Sequence, residues 1–212
     1  MSTLPARLPL AQPDGGGLWR WLLRNLGLET WFQQPAATAH AGQVERIFLQ
    51  LAPALNQSGS QAEWAAKLTA ALAECRPAMQ AGGGEVLSQQ GATLLLSWPA
   101  APGSQQSQVV RTYFELCASM ARQAGPTLCG AASLGWVVPS STENLAKRYR
   151  GEVLRGVAGM LRAGQQLGSQ LLISAALQHR LDAEPAYRYE LDVAFEVAGH
   201  RYPVTVFRVS AA

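Results

Sequence analysis

From residue 15 to residue 181 the chain contains no aspartate. Its carboxylates over that length are Glu29, Glu45, Glu63, Glu74, Glu85, Glu115, Glu143 and Glu152, and none forms a close pair in sequence of the kind that two-metal chemistry uses. Charge is scarce altogether. Charged residues make up 15% of the chain, against about 25% in an average soluble domain. The 17 basic and 14 acidic residues leave a net charge of +3, too small a surplus for a dedicated nucleic-acid-binding domain, so no nucleic-acid partner is expected.

Other absences narrow the choice further. The three cysteines, Cys75, Cys117 and Cys129, form no CxxC pair, and the three histidines, His40, His179 and His200, lie far from them and from one another. A zinc site therefore has no ligand spacing to stand on, and the cysteines read as small buried hydrophobes in a reducing compartment. No apolar run is long enough to cross a bilayer, and the opening "MSTLPARLPLAQPDGGG" lacks the hydrophobic segment of a secretory signal. The expected location is the cytoplasm. GxGxxG, GxxxxGK[ST] and GxSxG are all missing, so the common dinucleotide, phosphate-loop and hydrolase sites have no motif, and no cofactor or metal is implied.

Apolar material, by contrast, is plentiful: 48% of 212 residues, enough for one substantial core with a short appendage. Residues 1–17 are rich in Pro and Gly and read as a flexible arm. Residues 18–42 hold a candidate amphipathic helix and a linker. In "LWRWLLRNLGLETWF" Trp19, Leu22, Leu23 and Leu26 recur at helical spacing, Trp21 stands among them, and Arg20 and Arg24 lie one turn apart on the polar side. Such a helix packs on its own domain or a second copy, fills a partner's groove, or makes a peripheral membrane contact through residues 18–32.

Residues 43–210 read as the main domain. "VERIFLQLA" is a strand, "SQAEWAAKLTAALAECRPAMQ" a helix, and "GGEVLSQQGATLLLSWP" a hairpin turning near Gly91. A second helix lies within "SQQSQVVRTYFELCASMARQAG" and ends at Gly125. "TLCGAASLGWVVP" is a strand or strand pair. "KRYRGEVLRGVAGML", Lys147 to Leu161, reads as a basic helix, followed by the buried strand "GSQLLIS" and the short helix "AALQHRL". "YRYELDVAFEV" and "RYPVTVFRV" close the chain as a hairpin. Adjacent hairpin strands joined by long helical connections make an α+β domain, with helices over a mostly antiparallel sheet.

In order and spacing, these pieces from Val44 to Val209 resemble the catalytic domain of class III adenylate and guanylate cyclases. The most specific pieces are "YRGEVLRGVAGML", "GSQLLIS" and "LDVAFEVAGHRYPVTVFRV". The resemblance implies a ferredoxin-like cyclase fold with a C-terminal β-hairpin and an active site shared across a dimer. It also implies two metal-binding aspartates, a purine-reading pair, and a transition-state Asn and Arg. Position by position, the metal aspartates fall on Gln50 and Ala92, the purine readers on Ser88 and Arg148, the Asn on Arg155 and the Arg on Gly159.

What the resemblance then implies is a degenerate, catalytically inactive domain acting through a protein partner or a second copy of itself. The other reading is a sensor for an anionic nucleotide or cyclic dinucleotide, using Arg148, Arg150 and Arg155, since the guanidinium fork suits phosphate oxygens.

Overall fold

A computed structural model describes residues 42–100, 106–140, 148–181, 186–195 and 204–212. The arm, the helix expected over 18–32 with Trp19, Trp21, Leu22, Leu23 and Leu26, the residue Lys147 and the C-terminal hairpin turn lie outside the described residues.

The sheet is organised around its first strand, β1 (Val44–Pro53). Helix α1 (Gln61–Ala81) follows, opened by Ser60, whose hydroxyl accepts from the Glu63 backbone N–H at 3.1 Å. β2 (Glu85–Gln90) and β3 (Thr93–Pro99) form the expected hairpin, turning at Gly91 with φ 56°, a conformation glycine adopts without a Cβ clash. Then come α2 (Gln108–Arg122), β4 (Leu128–Pro139), the two-residue β5 (Tyr149–Arg150) and α3 (Glu152–Leu167). β6 (Leu171–Ser174), the single-turn α4 (Ala175–Gln178), β7 (Tyr187–Phe195) and β8 (Val204–Ala211) complete the chain.

The strand order is β2-β3-β1-β4-β6-β8-β7, with β5 paired to β4 off this path. All neighbours are antiparallel except β4 and β6. The first four strands with α1 and α2 make the split βαβ arrangement of ferredoxin-like folds, and the C-terminal hairpin is present as β7 and β8.

Alternation along β1 divides the core in two. Ile47, Leu49 and Leu51 face one side and pack with Leu68, Leu72 and Met79 of α1 and Val110, Tyr113 and Leu116 of α2. Phe48 and Ala52 face the other and pack with Val153, Val157 and Met160 of α3. Each helix lays one apolar stripe on the sheet. In α3 the buried set Val153, Gly156, Val157, Met160, Leu161 and Gly164 follows the spacing of a single face.

The structure modifies the sequence reading in one place and decides an open alternative in another. Lys147 to Leu161 is not one helix: Tyr149 and Arg150 are extended and pair with Pro139 and Val138, and the helix begins only at Glu152. And "TLCGAASLGWVVP" holds a single long strand, in which Gly130 and Gly135 admit close neighbours rather than break it. A Cβ on Gly130 would lie 2.7 Å from the Tyr113 ring, and one on Gly135 would lie 2.9 Å from Val153.

Candidate functional site

β1 presents Arg46, Phe48 and Gln50 to the α3 side of the sheet, because residues two apart share a face. Gln50 is half-buried between Leu95 of β3 and Ala131 of β4. Ala92 sits at the β2–β3 turn and is 1% exposed. Ser88 is half-buried on β2, just past a break in the β2–β3 register between Val86 and Ser88. On α3, Arg155 is exposed, its NH2 3.8 Å from Glu152 Oε1, and Gly159 is half-buried. Arg150 is exposed on β5. Thus Arg148 and Arg150 do not share a helix with Arg155, as the sequence had suggested.

The strongest polar convergence on this face was not legible in the sequence. Glu85, the first residue of β2, receives three donors on its two carboxylate oxygens. Arg46 NH2 and the Tyr149 hydroxyl both donate to Oε1, the latter at 3.0 Å, and Arg148 NH1 donates to Oε2 at 2.7 Å. Arg46 is braced from below, with its Nε donating to Ser97 Oγ at 3.0 Å. Both guanidinium groups lie against the Tyr149 ring, at 5.0 Å for Arg46 and 5.7 Å for Arg148, a cation–π geometry. Tyr149 in turn meets Phe48 edge to face at 5.9 Å. Burial pushes the Tyr149 phenol above its ordinary pKa, opposed by the Arg46 charge, so it remains a neutral donor.

Register explains why these groups meet. Glu85 stands opposite Ser97, Ser97 opposite Phe48, and Arg46 two residues along the same face of β1. Only Arg148 of the expected ligand-binding arginines takes part. The advance signal for Arg46 is a charged residue within β1 that shares a face with Gln50.

Elsewhere, a surface depression of about 360 Å³ lies between the β1–α1 loop and the α2–β4 loop. Several of its polar groups already pair with neighbours. Lys67 Nζ donates to Ala124 O at 2.9 Å and pairs with Glu63 at 2.7 Å, and Gln57 Oε1 accepts from Thr127 N at 2.9 Å. The cysteines are not poised as nucleophiles. Burial raises the thiol pKa of Cys75 and Cys129, and pushes that of half-buried Cys117 up to about 11. Among the described residues no three His, Cys, Asp or Glu side chains are grouped so as to hold a metal ion, and no helix is long and apolar enough to cross a membrane.

No protein-family model and no curated protein sequence matches this chain. Solved structures do. The adenylyl cyclase CyaB from P. aeruginosa is similar with TM-score 0.62 at 13% identity, over 80% of this chain and 95% of that one. A bacterial light-regulated adenylyl cyclase gives TM-score 0.61 at 16% identity, over 91% of this chain. This chain spans only 63% of that enzyme. The non-canonical dimeric guanylyl cyclase domain of a fusion protein from the aquatic fungus Blastocladiella emersonii gives TM-score 0.57 at 12% identity, over 81% of this chain and 99% of that one. The chain has the fold of the class III adenylyl and guanylyl cyclase catalytic domain.

Proposed function

We propose that this is a catalytically inactive cyclase-like domain that works by binding another protein, through the surface that dimeric cyclase domains use to pair. What supports this most is the donor set at the positions the resemblance assigns to the reaction. Two divalent ions on a nucleotide need hard anionic oxygens. Gln50 offers a neutral amide, and Ala92 offers a methyl group that is 1% exposed. The residues do not fit the ions. Arg155 and Gly159 stand where the resemblance places the transition-state Asn and Arg, so the groups that would orient and neutralise the transferred phosphorus are replaced as well.

The scaffold nonetheless persists, with its sheet, both helical layers and the β7–β8 hairpin. A fold retained without its chemistry still offers its association surface. One of the similar structures is itself a dimeric guanylyl cyclase domain, which makes a second copy of this chain the first partner to test. Light scattering over a concentration series should show reversible dimer formation by the full chain. A strict monomer at high concentration rules out self-association and leaves only a different protein as the partner.

The anionic-ligand reading is favoured by one observation. Two arginines, Arg46 and Arg148, converge on a single carboxylate at the end of the face where the resemblance places base recognition.

A further inference from the structure

Arg46, Arg148 and Tyr149 each donate a hydrogen bond to one carboxylate, that of Glu85. We infer that these three side chains form an oxyanion-binding site whose occupant in this structure is the chain's own Glu85, so that Glu85 is an internal ligand holding the site closed. The inference deepens the anionic-ligand reading and rests on it, naming the residues that would bind and the residue that excludes.

Three features carry it. First, the donors are braced by contacts other than the one to Glu85. Ser97 fixes the Arg46 fork at 3.0 Å, and the Tyr149 ring supports both guanidinium planes. Preorganised donors of this kind characterise a binding site more than a surface ion pair, whose partners are ordinarily mobile. Second, the charges do not cancel. Two guanidinium groups face one carboxylate, and the side chains are 14% exposed for Arg46, 26% for Glu85 and 45% for Arg148. Glu85 neutralises one charge and leaves one. Third, the occupant has an exit. β2 is the outermost strand at its end of the sheet, and Glu85 is its first residue, so rotating the side chain moves the carboxylate into water without breaking a strand pairing.

The ligand chemistry follows from the donors. Arg46 and Tyr149 share one oxygen and Arg148 takes the other, a geometry that suits a carboxylate or two oxygens of a phosphate. A tethered glutamate is present at high effective concentration, so a small free oxyanion should bind the wild-type protein weakly.

Removing the tether tests this directly. In Glu85→Ala, the partly buried Arg46 and the exposed Arg148 lose their counter-charge, and an added oxyanion should take its place. Melting temperature would be followed against sodium acetate and, separately, sodium phosphate, with chloride matching the ionic strength. At saturating anion, Glu85→Ala should gain about 3–6 °C over its chloride control, while wild type gains less than half as much. Acetate working alone would mark a carboxylate site, and phosphate working as well or better a phosphate site. The double variant Glu85→Ala/Arg148→Ala should lose the response. If Glu85→Ala fails to fold, Glu85→Gln, which keeps the side-chain shape, is read by the same titration and should respond to the same anions. Equal stabilisation of wild type and variant, or a response that survives loss of Arg148, overturns the inference. Neither result bears on self-association, so the site and the partner-binding reading fail separately.

Discussion

Replacing Trp98 with alanine should remove about 3–5 kcal/mol of folding stability, while replacing it with phenylalanine should cost less than about 1.5 kcal/mol. Trp98 is 1% exposed on β3, opposite Ile47 of β1, and belongs to the core between the sheet and helices α1 and α2. It also closes against the turn that leaves α1. A Cβ placed on Gly84 would be 2.5 Å from the indole Nε1 and 2.6 Å from Met79 Cγ, so the ring fills that corner completely. Alanine there leaves a cavity that a rigid sheet and helix cannot close. Phenylalanine retains most of the apolar area and removes a cost, because the indole N–H is buried without a hydrogen-bond partner. Urea denaturation of the two variants, followed by circular dichroism, reads both numbers. A phenylalanine variant as damaged as the alanine variant would mean that the indole N–H contributes to stability after all.

The second large effect concerns the start of α3. Gly151→Ala should cost about 1–3 kcal/mol, the range for forcing extra atoms into a packed site. A Cβ at Gly151 would stand 2.8 Å from the Trp136 backbone oxygen and 2.9 Å from Val137 Cγ1. The first of these is main chain within β4 and cannot rotate away. Relief requires lifting β5 and the first turn of α3 from the sheet, which would also draw Arg148 and Tyr149 away from Glu85. Stability should therefore fall together with amide protection at Tyr149 and Arg150, measured by hydrogen exchange. A variant as stable and as protected as wild type would show that the α3 start is not clamped in this way.

Local patterns in the sequence were sufficient where the structure is decided locally. The strand over Val44, the helix opening at Ser60 and the hairpin turning at Gly91 appear within a residue or two of their expected bounds, because alternation, a capping hydroxyl and a turn glycine each act over a few residues. The reading failed where distant partners decide. The polar run before Gly151 resembles a helix start, yet Tyr149 and Arg150 become extended because Val138 and Pro139 offer free edge groups to pair with. Gly130 and Gly135 leave one strand or a strand pair open in the sequence, and the single strand is decided by Tyr113 and Val153, which need their space.

The candidate site divides in the same way. Gln50, Ala92, Arg155 and Gly159 could be located by resemblance, since motif spacing is carried in the sequence itself. The Glu85 cluster could not. Its members come from β1, β2, β3 and β5, and only the sheet register brings Arg46, Glu85, Ser97 and Tyr149 together. Arg148 was singled out for its place in a motif, and its actual partner lies 63 residues away.

On the reading proposed above, the cyclase fold remains while the reaction has gone. The most direct test of that reading is to incubate the full chain with ATP, and separately with GTP, in the presence of manganese, and to measure cyclic nucleotide. The expected result is no cyclic product above a heat-denatured control with either nucleotide. Cyclic product that rises with protein concentration and disappears on chelation of the metal would contradict the reading of Gln50 and Ala92, and with it the claim that this domain acts by binding alone.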